Sequence, residues 1–450
     1  MVQVSTVREI CERAWEAFLK LAPMGAEVRD AALDAMAEAI ERGAGEILEA
    51  NRQDRAQAEA AVRAGEMTRA LFDRLALDEA KMAAMAEGVR AVRRQADPVG
   101  RSDYVCRLDE GLLLRRVACP LGVIAAVFEA RPDAVPQIAS LCLKSGNAVI
   151  LKGGKEALRT HRVTARLLAE AAESRGVPAG ALQLLGAREE VRELLGIEGW
   201  VDLIIPRGSN AFVRYIRENT RTPVLGHADG ICHLYVDRAA DLKMAVALTL
   251  DAKTNYPAAC NAIETLLVHE AAAADFLPSV VGALRDAGVE VRGCERTRAV
   301  VADVTEASEK DWDTEFLDLI LSIRVVPDLA EAVRHINRHG SRHTDAIVTE
   351  DPAAAETFFA GVDSASVLWN ASTRFADGYR YGLGAEVGIS TDKLHARGPV
   401  GLEGLVTYKY QVVGAGHRTA DYMGKNARPF LHQRLPADTD ILSQEVRDAR

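Results

Sequence analysis

The sequence predicts an α/β protein built from two parallel-sheet domains. Three observations carry that reading. Residues 1–95 are helical in pattern. From Gly122 onward, short apolar strand-like runs alternate with helix-like runs, the texture of a parallel sheet covered by helices. The alternation then starts afresh with a new unit from residue 242.

The elements follow in order. Val7, Ile10, Cys11, Ala14, Trp15, Phe18 and Leu21 recur at helical spacing. Residues 31–48 and 77–92 are Ala-rich with the same period, and this whole stretch is expected to cover a sheet. Asp109-Glu110-Gly111 separates two strand-like runs, 104–108 and 112–117, and predicts a hairpin. A strand over 122–128 follows at once. Helices are expected over 136–144, 157–174, 189–195 and 210–218, with strands over 148–151, 182–185 and 203–205. Ligands of such a sheet sit beyond the carboxyl ends of its strands. The second unit reads as a helix over 242–252, a strand over 262–268, a helix over 271–287, and strands over 320–326, 346–348 and 366–369. Residues 405–413 alternate polar and apolar like an edge strand, and 430–450 read as a charged tail.

Composition excludes several classes. The 450 residues are 48% hydrophobic and 27% charged, ordinary globular values, with a net charge of −10. An acidic balance argues against a general binder of nucleic acid or anionic membrane, which needs a basic face. The longest uncharged apolar stretch, 117–128, is broken by Pro120 and Gly122 and falls well short of the roughly 20 residues of a membrane span. The first residues carry no basic-then-apolar signal pattern. The seven cysteines never come as Cys-x-x-Cys, so reduced thiols in a cytoplasm are expected.

Neither G-x-G-x-x-G nor G-x-x-x-x-G-K-[ST] occurs, so a standard dinucleotide fingerprint and a P-loop are unsupported. Two other turns suit a phosphate. In Leu151-Lys152-Gly153-Gly154-Lys155-Glu156 a strand ends in a cation and two glycines, which let backbone amides approach an anion. In Ile205-Pro206-Arg207-Gly208-Ser209-Asn210 a strand again leads through glycine to a helix start, where Ser209 is placed to cap the helix and meet a pyrophosphate. Either turn alone also fits an ordinary strand-to-helix connection; two at strand ends of one sheet point to a nucleotide. Cys260, in Tyr256-Pro257-Ala258-Ala259-Cys260-Asn261, lies in a loop between a helix and a strand. A loop thiol at a domain junction with a lowered pKa is a nucleophile, whereas the other six cysteines read as structural. His335, His339 and His343 recur every four residues, but Gly340 and Ser341 interrupt the helix and no Glu lies between them as a metalloprotease needs, so no metal site is expected.

Longer motifs carry a resemblance. Phe128-Glu129-Ala130-Arg131-Pro132-Asp133, residues 143–156, 205–210, Gly226-His227-Ala228-Asp229-Gly230-Ile231-Cys232-His233, 256–269 and 382–410 together resemble the glutamate-5-semialdehyde dehydrogenases (gamma-glutamyl phosphate reductases) of the aldehyde dehydrogenase superfamily. Arg-Pro-Asp and the Gly226–233 motif are closer to the reductase half of the fused pyrroline-5-carboxylate synthases. The resemblance implies an aldehyde-dehydrogenase-like fold: a cofactor-binding domain over 1–103 and 118–252, a catalytic cysteine domain over 253–404, and a small β oligomerisation arm pairing 104–117 with 405–414. It implies NADPH-dependent reduction of L-glutamyl 5-phosphate through a Cys260 thioester, with NADP as the oxidised cofactor, the second step of proline synthesis. The Cys260 N–H, then Asn261, would hold the oxyanion. Lys152, Gly153 and Gly154 would meet the adenosine ribose or 2′-phosphate, Gly208 and Ser209 the pyrophosphate, and Glu315 the nicotinamide ribose. Arg131, His227, Asp229, His395 and Arg397 would bind substrate. Hydrolytic relatives carry a glutamate base before the cysteine loop. Residues 223–230 hold His227 and Asp229 but no Glu, which suits an enzyme that must not hydrolyse its thioester. No kinase half precedes the reductase motifs, so a separate glutamate 5-kinase is the expected, transient partner, beside self-association into a homo-oligomer. The alternatives left open are another NAD(P)-dependent aldehyde dehydrogenase and an inactive scaffold of the same fold.

Overall fold

The computed structural model describes residues 6–129, 131–186, 189–226 and 229–443. The chain forms two compact units, one of Met1–Pro206, Asn219–Val224 and Gly401–Arg450, the other of Arg207–Glu218 and Leu225–Val400.

The first unit opens with helices α1 (Val7–Leu21), α2 (Ala26–Arg42), α3 (Ala44–Arg63), α4 (Arg69–Arg74) and α5 (Glu79–Arg94). A capping box starts α1: Glu9 N–H donates to Thr6 Oγ1 and Thr6 N–H to the Glu9 carboxylate. Val7, Ile10, Cys11, Ala14 and Leu21 are buried as their spacing predicts, but Trp15 is partly exposed and packs edge-on against Trp200. The expected helix over 31–48 is two helices, because the chain breaks at Gly43, where a Cβ would lie 2.5 Å from Leu167. The hairpin strands are β1 (Ser102–Asp109) and β2 (Leu112–Pro120), and Gly111 turns between them at a φ of 68°, which a residue with a Cβ rarely adopts. Then come β3 (Val123–Phe128), α6 (Ala134–Lys144), β4 (Ala148–Lys152), α7 (Leu158–Glu173), β5 (Leu182–Leu184), α8 (Glu189–Gly196) and β6 (Leu203–Arg207). They form a sheet of order β5-β4-β3-β6 in which β3, β4 and β5 pair in parallel. β3 and β4 are buried along their whole length, hence their unbroken apolar text.

The second unit holds α9 (Asn210–Glu218), β7 (Cys232–Val236), α10 (Leu242–Thr254), β8 (Ile263–His269), α11 (Glu270–Asp286), β9 (Glu290–Gly293), α12 (Glu295–Val300), β10 (Thr305–Glu306), β11 (Ile320–Val326), α13 (Leu329–His339), β12 (Thr344–Val348), α14 (Pro352–Gly361) and β13 (Ser366–Trp369). Its sheet has the order β10-β9-β11-β8-β7-β12-β13. The pairing of β7 with β8 and β12 draws residues 225–252 into this unit, whereas the sequence reading places its boundary at 252. A two-stranded ladder joins β14 (Ile389–Ser390) to β15 (Gly398–Pro399).

The chain then returns to the first unit. β16 (Val406–Val413) pairs antiparallel with β2, from Val406↔Pro120 to Val413↔Leu113, and β17 (Gln433–Leu435) pairs with β1. The arm is therefore a four-stranded sheet of order β16-β2-β1-β17 with β16 at its edge. β17 falls in the stretch read as a tail, and Ile441 is fully buried against Val105 and Leu113, so the otherwise largely exposed 433–441 is anchored at these two points; residues 444–450 lie outside the described ones. Among the described residues no helix is long and apolar enough to cross a membrane.

Candidate active site

In the first unit, two sequence motifs meet at the carboxyl ends of adjacent strands, since Val127 of β3 pairs with Lys152 of β4. Lys152 is 6% exposed and its Nζ donates to the Gly153 carbonyl at 2.5 Å. Burial pulls its pKa below the usual lysine range, opposed by Glu156, Glu190 and Glu189. Gly153 lies against the His161 ring, whose Nδ1 would be 2.2 Å from an added Cβ. His161 is buried edge-on to Phe128, and burial pushes its pKa down to about 4, against the pull of the nearby Arg131 backbone. The imidazole thus packs against Phe128 at the end of β3 and against the glycine turn after β4. The Arg131 guanidinium is 42% exposed and lies 3.5 Å from Asp133. At Gly154 an added Cβ would lie 1.8 Å from the Glu156 carboxylate.

In the second unit, the Cys260 loop spans the gap between α10 and β8. Cys260 is half-buried, and its amide makes no hydrogen bond among the described residues. Its carbonyl accepts from the buried Cys232 thiol at 3.2 Å. Asn261 is 4% exposed and donates from Nδ2 to the Ala376 carbonyl at 2.9 Å, leaving one amide hydrogen uncommitted. Gly230 explains how neighbours reach the nucleophile: a Cβ there would lie 2.3 Å from the Cys260 carbonyl oxygen and 2.7 Å from Glu315 Oε1. Glu315 Oε2 accepts from Asn210 Nδ2 at 2.6 Å, and the same amide donates to Asp229 at 2.8 Å. Asn210 begins α9, directly after the exposed Gly208 and Ser209, and the Ser209 carbonyl accepts the Val213 N–H in that first turn. The second phosphate-type turn, Asp229, Glu315 and the Cys260 loop are therefore one connected network. Asp229 also pairs with Arg214 at 2.8 Å.

The remaining sequence-derived residues have other surroundings. Arg397 is engaged by Asp363, whose carboxylate also meets Lys393; His395 is exposed; His227 lies outside the described residues. His335 is buried among the rings of His233, Trp312 and His339, and burial pushes its pKa down to about 2. No group of three or more His, Cys, Asp or Glu among the described residues is arranged to hold a metal ion. Sequence reasoning missed Asn210, Gly230 and Cys232 as parts of the site. The signal for the last two was their place in the Gly226–233 motif; Asn210 offered none beyond ending a glycine turn.

Comparison with known proteins places the fold. Residues 1–298 match the aldehyde dehydrogenase family. A gamma-glutamyl phosphate reductase of a Synechococcus species is 60% identical over 407 residues, 90% of each chain. One from Trichormus variabilis is 53% identical over 429 residues, 95% of this chain and 98% of its own. The crystal structure of gamma-glutamyl phosphate reductase from Thermotoga maritima superposes with a TM-score of 0.88 at 40% identity, covering 92% of this chain and all of that one.

Proposed function

From the premise that the chain belongs to the aldehyde dehydrogenase family, and within it to the gamma-glutamyl phosphate reductases, we propose how its residues divide the reaction. The activity is the reduction of L-glutamyl 5-phosphate to glutamate 5-semialdehyde and phosphate, the second step of proline biosynthesis, with a nicotinamide cofactor. The observation that carries the site assignment is the network joining Cys260, Gly230, Glu315 and Asn210.

Cys260 Sγ attacks the acyl carbon, and phosphate departs to leave a thioester. The Cys260 N–H and the uncommitted Asn261 amide hydrogen stabilise the oxyanion. When bound, the dinucleotide supplies the hydride; Cys260 then releases the aldehyde and recovers its thiol. Lys152 with the Gly153–Gly154 turn suits the adenosine ribose and its 2′-phosphate, the reason to expect NADPH. Gly208 and Ser209, exposed at the start of α9, suit the pyrophosphate, and Glu315 the nicotinamide ribose. Arg131, half-exposed, is assigned to one anionic end of the substrate. Asp229 and Arg397, each held by an opposite charge, act as positioning residues. The free thiols of all seven cysteines support a cytoplasmic site of action. The exposed edge of the arm supports a homo-oligomer. The acyl phosphate is prone to attack by its own amine, which favours rapid transfer from a separate glutamate 5-kinase.

The test is the reverse reaction with pyrroline-5-carboxylate, phosphate and NADP⁺. Phosphate-dependent NADPH formation that disappears in Cys260→Ala is the expected result. NADPH formation without phosphate would mean a hydrolytic enzyme, and retained turnover in Cys260→Ala would remove the thioester route.

A further inference from the structure

We propose that Arg374 binds an anionic group of the substrate, phosphate or carboxylate, beside Cys260, and so sets the preference for charged acyl donors; this rests on the reductase reading above. The residue sits in a short turn, Thr373–Phe375, after β13. That turn lies against the nucleophile loop, because Asn261, the residue after Cys260, donates to the Ala376 carbonyl at 2.9 Å. The turn's backbone is held from both sides: the Arg374 N–H donates to Ser372 Oγ at 3.3 Å, and the Arg380 guanidinium donates to the Arg374 carbonyl at 2.9 Å.

The Arg374 side chain itself is uncommitted. It forms no ion pair among the described residues, and its Nε is buried without a hydrogen-bond partner. Other arginines of this unit are taken: Arg214 by Asp229, Arg217 by Asp392, Arg397 by Asp363. Thr373 Oγ1 and Asn261 Oδ1 are likewise buried and unpartnered, so orphaned polar atoms occur both on this turn and on the nucleophile loop to which the Asn261–Ala376 hydrogen bond joins it. Native folds seldom leave buried polar atoms unpaired, and a site that receives a polar ligand is one of the few reasons to do so. Burial and Arg380 lower the Arg374 pKa, whereas the charges of Cys260, Asp251 and Asp377 raise it, so the nucleophile is among the charges this guanidinium faces. L-Glutamyl 5-phosphate carries an anion on each side of its reacting carbon, the phosphate at C5 and the carboxylate at C1. A guanidinium grips either one with two parallel hydrogen bonds.

The experiment is steady-state kinetics of the full chain in the reverse direction, for wild type, Arg374→Gln and Arg374→Lys. Wild-type phosphate-dependent turnover reports on the reductase reading itself. The expected result is a rise of tenfold or more in one KM in Arg374→Gln, with the NADP⁺ KM unchanged and partial recovery in Arg374→Lys. A raised phosphate KM assigns the phosphate end. A raised semialdehyde KM, with turnover of the uncharged butanal unaffected, assigns the carboxylate end. Unchanged KM values for both reactants overturn the proposal. So does an equal loss with semialdehyde and butanal while the phosphate KM is unchanged, or a uniform fall in kcat with a lowered unfolding temperature. Should Arg374→Gln not fold, the Lys variant carries the same comparison.

Discussion

At the scale of single residues, Gly230 and His161 have consequences out of proportion to their size. Gly230 has no room for a methyl group, since its Cβ would lie 2.3 Å from the Cys260 carbonyl oxygen and 2.7 Å from the Cys260 Cα. Gly230→Ala must therefore displace the nucleophile loop. We expect kcat to fall by about 10²-fold, the cost of a misplacement on the order of 1 Å, with far-UV circular dichroism unchanged; full activity would mean that the loop tolerates the shift. His161 is buried as a neutral ring whose folded pKa is about 4, against an ordinary value of 6.5. The folded state thus binds its proton less readily than the unfolded chain does. The stability it contributes is whole above pH 6.5 and is lost as pH falls from 6.5 toward 4. Between pH 8 and pH 5 the loss is roughly 2 kcal/mol. Urea unfolding of wild type and His161→Leu at both pH values checks this: the pH-dependent loss should shrink by about that amount in the variant. Cys260 and Glu315 were legible as residues because each stands in a segment of distinctive text. Asn210 and Arg374 were not, because what marks them is a side chain reaching, or failing to find, partners far along the chain.

At the scale of elements, the nucleophile loop is clamped by the two elements that flank it. Asp241 caps α10, accepting from Lys243 N–H at 2.8 Å and Met244 N–H at 3.1 Å. In the last turn of the same helix, Lys253 meets Glu264 of β8 at 2.6 Å, with both side chains wholly buried. Glu264 Oε1 also accepts the Leu317 N–H at 3.3 Å, fixing the segment that carries Glu315. Burial pushes the Glu264 pKa up to about 7 and the Lys253 pKa down, so desolvation outweighs the attraction between them. Removing one partner strands the other. Lys253→Met should cost about 3–5 kcal/mol by denaturant unfolding, whereas Lys253→Met with Glu264→Leu should recover most of that. A single mutant as stable as wild type would show the pair to be dispensable. Asp241→Ala should cost only ~1 kcal/mol, read the same way. Most helices and core strands were legible from periodicity, α9 and β11 to the residue. β7 was not. Its five residues include a histidine, which breaks the apolar run, and what makes it a strand is pairing with β8 and β12, which lie later in the chain. The same non-local pairing moves the boundary between units.

At the scale of the whole molecule, the arm poses the main physical problem. α/β sheets bury their strands under helices, but β16 ends the arm sheet with its outer edge unpaired among the described residues. Alternation along the strand puts Tyr408, Tyr410 and Val412 on one face, and all three are more than half exposed. Tyr408 and Tyr410 stack edge-on at 5.7 Å, and the Arg116 guanidinium lies over Tyr408 at 4.8 Å. An exposed, apolar edge strand is a template for another chain unless charge or proline blunts it, and β16 carries one charge, Lys409, and no proline. The arm is therefore expected to be covered by a second copy of the chain. Replacing Tyr410 and Val412 together by Asp puts two like charges on that face without touching the buried side of the sheet, where Val105, Leu113 and Ile441 pack. Sedimentation velocity should then show a smaller species than wild type, while unfolding of the isolated subunit changes little. If the doubly substituted chain sediments as wild type does, the arm face is not the interface and the cover for its aromatic residues must come from elsewhere.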